Sequence, residues 1–213
     1  MAFDIDLSKY RIVDLALEVR PGQTAPDRPY EVREGRLGDG TWKFDIVNTH
    51  THVGTHVESP WHFYGTGKTC TDYPIEKFMG AARLCGLAPE SPEAWISCDM
   101  LRAKLDPYQG AFSILFLRND SATQPLHVHM DGVSYLAELG LDLLVFESTI
   151  EFGQGIEDGR AFHDILMSRD TLFVEFPANG AALDRDAFFV FAVPLRITGL
   201  DSSPCRLFAI LDR

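Results

Sequence analysis

A strand-rich, mixed α/β fold is what this sequence predicts, on three observations. Short apolar runs recur along the chain at strand length, five of them from residue 111 onward. Two segments carry apolar residues at helical spacing, and each leads within a few residues into such a run, the alternation of a mixed α/β domain. No repeat, low-complexity tract or strong linker divides the 213 residues, so residues 1–213 read as one domain.

The elements follow in order. RIVDLALEV (11–19) alternates apolar and polar residues and reads as a strand. WKFDIVNTH (42–50) does the same, with Trp42, Phe44 and Ile46 on one side. APESPEAW (88–95) has the composition of an exposed connection. AFSILFL (111–117), LDLLVFES (141–148), LFVEFP (172–177), FFVFAVPLRI (188–197) and RLFAIL (206–211) are near-continuous apolar runs, suited to strands buried on both faces. DGVSYLAELG (131–140) reads as a helix that starts at an Asp cap, carries Val133, Leu136 and Ala137 on one face and stops at Gly140. GRAFHDILMSRD (159–170) places Phe162, Ile165 and Leu166 at helical spacing.

Composition excludes some partners. With 46% hydrophobic and 23% charged residues the chain reads as globular. Its 19 basic and 31 acidic residues give a net charge of -12, which disfavours nucleic acid and anionic membrane, both polyanions. A small anionic substrate held by a local site is still compatible. The first residues are acidic and broken by charge, so neither a signal peptide nor a membrane span is expected. Cys70, Cys85, Cys98 and Cys205 form no CxxC pair, and free thiols in a reducing cytoplasm are the expectation.

The chemistry concentrates in HVGTHVESPWHF (52–63), which holds three of the chain's 7 histidines, with His50 just upstream. In extended chain His50, His52, His56, Glu58 and His62 share one face, since all fall on even positions. A straight strand would set His52 and His62 roughly 33 Å apart. Metal–nitrogen bonds are only about 2 Å long, so the chain must turn for these side chains to meet. Gly54-Thr55 and Ser59-Pro60 are where residue chemistry allows it. Imidazole and carboxylate without thiolate suit Zn, Mn, Fe or Ni. His52, His56 and Glu58 together would leave coordination room for water, as a catalytic ion requires.

The stretch from His52 to His62 resembles the signature of the metal-dependent cyclase family, which includes bacterial kynurenine formamidases and isatin hydrolases. That signature is His-x-Gly-Thr-His-x-Asp-x-Pro-x-His, and here His52, Gly54, Thr55, His56, Glu58, Pro60 and His62 stand at its defined positions. Glu58 departs from the family's usual Asp by one methylene, which puts metal spacing or the carboxylate's binding mode in question. RIVDLALEV, GKTCTDYPIEKF, GVSYLAELGLDLLVFES and FFVFAVPLRITGLDSSPCRLFAIL resemble further stretches of the family, so the likeness spans nearly the whole chain. Around residues 145–159 the family's Gly-x-Asp strand end is missing and Glu147 stands near that place.

The resemblance implies a swivelling β/β/α architecture, a homodimer or homotetramer, and a site of one or two divalent ions, Zn or Mn. It implies that a distant His and Glu complete the site, and the matching positions are His163 and Glu175. Glu175 also stands out on its own residues. A carboxylate in an apolar strand is costly unless paired, metal-bound or turned outward with Phe173. For His62 the resemblance implies the general base, which suits an imidazole titrating near neutrality, with a further ligand as the alternative. His50 reads as a residue behind the ligands or exposed. His127 and His129 share a strand face and read as a loop-edge or access pair, with a metal-binding His-x-His as the alternative, since no carboxylate pattern accompanies them. Trp61, Phe63 and Tyr64 could line an aromatic pocket, although Phe63 suits the core; Trp42 and Trp95 carry no assignment. No GxSxG elbow, P-loop or dinucleotide fingerprint is present.

The expected function is therefore a metal-dependent hydrolase of an amide, formamide or lactone, acting on a small molecule through an activated water and His62. Two rivals stand beside it. One is a cupin-type metal oxygenase or isomerase, which HTHVGTHVE loosely resembles. The other is a member of the family that binds metal or ligand without catalysis.

Overall fold

Near-continuous apolar runs become central strands because both of their faces are covered. The computed structural model describes residues 6–22, 28–89, 91, 95–121 and 125–213. In chain order the elements are β1 (Tyr10–Asp14), β2 (Tyr30–Arg36), β3 (Trp42–Thr49), β4 (His56–Glu58), α1 (Pro60–Tyr64), β5 (Met79–Leu87), α2 (Cys98–Leu105), β6 (Ile114–Asn119), β7 (Leu126–Val128), α3 (Met130–Glu138), β8 (Leu143–Phe146), β9 (Ile150–Phe152), α4 (Gly155–Met167), β10 (Leu172–Glu175), β11 (Ala187–Phe191), β12 (Ser202–Pro204) and β13 (Phe208–Asp212).

Nine strands form one sheet in the order β1-β13-β11-β5-β6-β8-β10-β4-β12. Its centre, β5-β6-β8-β10, is parallel, and the flanking pairs are antiparallel. Along β6, Leu115 and Leu117 face a core shared with α2, α3 and α4, while Ile114 and Phe116 face a second core. Full burial of each such side chain stabilises the fold by about 1.5–3 kcal/mol. The second core joins Val13, Ala209 and Leu211 from one end of the sheet to Val57 from the other, so the sheet curls until its ends share an interior. Helices on the outside of a curled sheet give the mixed β/β/α layering expected. The double-sheet barrel required by the cupin reading is not formed, because the four central strands run parallel with helical crossovers.

Several boundaries differ from the sequence expectations. The 11–19 strand ends at Asp14; beyond it the Leu15 amide bonds Leu207 and the Leu17 amide bonds the Thr55 hydroxyl, carrying the chain out of the ladder. The 188–197 strand ends at Phe191, just before Pro194, which has no N–H to donate. Asp131 does not cap α3: His129 holds that position without a side-chain bond, and the helix leads to Gly140 at φ 65. α4 begins at Gly155, four residues before the expected start at 159. The predicted connection 88–95 lies partly outside the described residues. All four cysteines are free. Among the described residues no helix is long and apolar enough to cross a membrane.

Among the described residues β2 and β3 pair only with each other. Trp42, Phe44 and Ile46 do share a face, and it is exposed: they are 57%, 60% and 60% accessible. Ion pairs from Arg33 and Lys43 to Asp45 occupy the opposite face.

Candidate metal centre

The turn chemistry of the histidine segment decides its shape. Residues 51–55 turn, with the Val53 amide bonding the His50 carbonyl at 3.2 Å and Gly54 at φ 63. A Cβ at Gly54 would collide with Cγ2 of Val19, a β-branched side chain with little freedom to move. Gly54→Ala is therefore expected to destabilise the protein by about 1–3 kcal/mol, read as a lower denaturant midpoint. After the turn, β4 carries His56 and Glu58 on one face. Pro60 then starts α1 at a position where its missing N–H costs nothing, and this helix brings His62 back over Glu58.

Neighbouring strands supply the rest. β4 lies between β10 and β12, and the β10 register sets Glu175 opposite His56 and Phe173 opposite Glu58. α4 brings His163 over the same face, its ring stacked on Phe63 at 5.5 Å and edge-on to Phe173 at 5.3 Å. The structure thus gathers the six residues singled out from the sequence. Glu58 is the hub: its Oε1 is 3.1 Å from His52 Nε2, 3.4 Å from His56 Nε2 and 3.9 Å from His62 Nε2, while its Oε2 is 3.9 Å from His163 Nε2. Glu175 Oε2 is 3.6 Å from His56 Nε2. His52, His56 and Glu58 are buried, whereas the Glu175 side chain is 20% exposed and that of His62 35%.

The hydrogen bonds fix which nitrogens face inward. His56 Nδ1 bonds the Gly54 carbonyl at 2.8 Å, and His163 Nδ1 the Gly159 carbonyl at 2.6 Å. A carbonyl only accepts, so each Nδ1 carries the proton and, in the neutral ring, each Nε2 is bare. Thr51 donates its one hydroxyl proton to Asp201 at 3.0 Å, so it accepts from His52 Nδ1 at 3.0 Å, again leaving Nε2 bare. Three imidazole lone pairs thus point at a carboxylate. His52 Nε2 is close to Glu58 Oε1, yet it has no partner of hydrogen-bond geometry, and Glu58 Oε2 is likewise an orphaned buried atom. Such orphans are costly unless another group satisfies them. Lone pairs converging without intervening protons suit a cation.

An ionised Glu58 here calls for positive charge beside it: burial raises its carboxyl, and hydrogen bonds donated at the His52 and His56 nitrogens bring it well below the usual carboxylate range, a part that a cation takes when those nitrogens are bare. Burial and the adjacent Glu58 charge push the Glu175 carboxyl up, to about 8, against a lowering pull from Arg28. Two carboxylates cannot share so small a space ionised unless positive charge joins them. Three neutral imidazoles and two carboxylates would carry the charge that one divalent ion balances.

Asp201 was not singled out from the sequence. Its carboxylate meets His62 Nδ1 at 2.9 Å and accepts from Thr51. Burial works to raise its pKa, but the bonds from His62 and Thr51 prevail and keep it low. His52, His62 and Asp201 form a second group whose ligand atoms lie within 4.8 Å of one another, as do those of His52, His56 and Glu58. One acid among 31, past a Gly turn, gives no local signal of this role.

The other candidates sit apart. His50 is exposed and accepts the His52 amide on its Nδ1 at 3.1 Å. His127 and His129 pack on Trp95, with centroids 4.7 and 4.8 Å away. Glu147 accepts the Asn119 amide at 2.9 Å and fills the space that a Cβ on Gly180 would take. Phe63 packs on the core, Trp61 is 39% exposed, and Tyr64 ties α1 to α4 through Asp164 at 2.8 Å.

Comparison with known proteins places these features in context. Residues 13–149 match the family model Cyclase, described as "Putative cyclase". That span holds the histidine segment and stops short of His163 and Glu175. Kynurenine formamidases of Bacillus mycoides and Salinibacter ruber are each 25% identical, over 95% of this chain and 94% of theirs. Isatin hydrolase A from Labrenzia aggregata, solved with benzyl benzoate, superposes with a TM-score of 0.78 at 20% identity, over 97% of this chain and 95% of that one.

Proposed function

This chain belongs to the cyclase family, and from that premise we propose that it is a metal-dependent hydrolase of an amide, formamide or lactone bond, with His62 as general base. The reading is carried by one observation: His52 Nε2 and Glu58 Oε2 are buried without partners in a pocket where other imidazole nitrogens also converge. His52, His56, Glu58, His163 and Glu175 would hold one or two ions, and an all-nitrogen-and-oxygen donor set suits Zn or Mn. When bound, the ion supplies Lewis acidity, lowering the pKa of water towards neutrality and polarising a carbonyl.

The chain's own groups do the rest. Asp201 accepts His62 Nδ1–H, which keeps Nε2 bare and aimed at the Glu58 side of the pocket. A bare Nε2 takes a proton from water and passes it to the leaving nitrogen or oxygen. Thr51 holds Asp201 and orients His52 through the same hydroxyl, so base and ligand are registered together. The names of the relatives support the reaction class: kynurenine formamidase for an aryl formamide, isatin hydrolase for a cyclic amide. Hydrolysis of formanilides and cyclic amides by purified, metal-analysed protein tests it. Metal bound with no turnover on either class would overturn it.

The reading extends to a second copy of the chain. Trp42, Phe44 and Ile46 stand exposed together on the β2–β3 ribbon, and a groove lined by Ile46, Leu195 and Ile197 adjoins them, an apolar face of the kind that marks an interface. The paired change Phe44→Asp and Ile46→Asp is expected to turn a dimer or tetramer into a monomer, measured as molar mass by light scattering. An unchanged mass would remove this face as the interface.

A further inference from the structure

Behind β4 lies a cavity lined by none of the candidate ligands. It measures about 410 Å³, within the range of small-molecule sites. The segment between α1 and β5 supplies one wall, with Cys70, Tyr73, Ile75 and Phe78. The segment after β11 supplies the other, with Pro194 and Arg196. Alternation along β4 turns His56 and Glu58 towards the metal centre and Val57 the other way, into the core that holds Cys70 and Phe78. Cys70 donates its thiol proton to the Val57 carbonyl at 3.7 Å, so the cavity and the metal centre stand on opposite sides of one strand.

Both walls are braced from outside the cavity. The Tyr73 hydroxyl donates to Asp170 at 2.7 Å, and the Phe78 ring stands edge-on to the Tyr73 ring at 6.4 Å. Opposite them Pro194 bridges to Cys205, and the Ser203 hydroxyl accepts the Leu195 amide at 3.1 Å. A site shaped in advance asks little ordering of the protein when a ligand enters.

The side-chain protons of the lining decide what it can hold. Cys70 gives its proton to Val57, and Tyr73 gives its own to Asp170. Thr69 donates its hydroxyl proton to Asp72 at 2.7 Å, so in its 3.1 Å contact with Thr71, a lining residue, it accepts. The Thr71 proton is therefore engaged as well. Arg196 is different. Among the described residues its guanidinium has no hydrogen bond, ion pair or ring contact, whereas Arg83 and Arg206 hold Asp186 and Asp14. An unengaged fork of N–H donors beside an apolar hollow suits a carboxylate borne on an apolar body. In a molecule of net charge -12, an unpaired cation is also where an acid is received instead of repelled.

We propose that this cavity is a second small-molecule site, separate from the metal centre, which takes an apolar monocarboxylate with its body among Tyr73, Phe78 and Pro194 and its carboxylate on Arg196. Calorimetry of the metal-loaded protein tests it with 4-phenylbutyrate and octanoate, beside 4-phenylbutanol and octanol as uncharged bodies of the same shape. At least one acid is expected to bind more tightly than its alcohol, and which acid does so tells an aryl body from an alkyl one. Arg196→Gln should weaken that acid by about 10–100-fold and leave its alcohol unchanged. Ile75→Asp, at a wall position that is 56% exposed, should weaken acid and alcohol together. Arg196 and Ile75 are both exposed, so the variants keep the fold, which circular dichroism checks. Neither acid binding, or an acid bound equally well by wild type and Arg196→Gln, would overturn the proposal, the latter by moving the acid to the metal or elsewhere. So would an acid unaffected by Ile75→Asp, or acid and alcohol weakened alike by Arg196→Gln, which would make Arg196 a packing residue and not a carboxylate partner.

Discussion

His62→Ala is expected to lose about 10²–10⁴-fold in turnover while keeping its full metal content. The geometry separates the two properties. His62 has the most exposed side chain of the four imidazoles around Glu58, 35% against 24% for His163, 4% for His52 and 0% for His56. Its Nδ1 is engaged by Asp201 at 2.9 Å, the arrangement that holds an imidazole base in one tautomer. Asp201→Asn should act in the same direction but less severely, because the amide can present either an acceptor or a donor to Nδ1. Metal analysis beside steady-state kinetics checks both variants. Loss of metal in His62→Ala would reassign His62 as a ligand, the alternative that the sequence left open.

Glu58→Gln is expected to lose metal, with affinity falling by more than the roughly 10–100-fold that changes to groups behind the ligands cause. Four imidazole nitrogens lie within 3.9 Å of this one carboxylate. Removing its charge leaves their lone pairs without the anion that balances a cation. Glu58→Asp is the informative companion, since it restores the residue usual in the family and keeps the charge. It should retain metal, whereas Glu58→Gln should not. Titration of metal into chelator-treated protein measures both. Equal binding by wild type and Glu58→Gln would mean that the carboxylate is not a ligand.

Much of the fold is legible in the sequence because burial on both faces writes itself as apolar runs. β8 and β10 fall inside 141–148 and 172–177 for that reason, while β6 overlaps 111–117 and runs past it to Asn119. Boundaries were less legible where side chains or a missing N–H end an element. Thr55 captures the Leu17 amide, and Pro194 stands just beyond β11. The Trp42, Phe44 and Ile46 face is legible as one side of a strand, but its exposure is not, because alternation reports an apolar face and not what covers it.

At the site, His52, His56, Glu58 and His62 are legible from their density and spacing, and His163 and Glu175 from the family resemblance. The hub position of Glu58 was not legible, since it depends on α1 and α4 folding over β4. Asp201 arrives from a distant segment that looks ordinary in the sequence, and it meets His62 only once the chain is folded.

The central claim is that the imidazoles of His52 and His56 and the carboxylates of Glu58 and Glu175 enclose a cation. Anomalous diffraction from crystals of protein purified with its native metal tests it most directly. The account predicts a peak about 2.0–2.2 Å from His52 Nε2, His56 Nε2 and a Glu58 oxygen. A map with no peak among these groups, and with protonated imidazoles hydrogen-bonded to Glu58 instead, would contradict it.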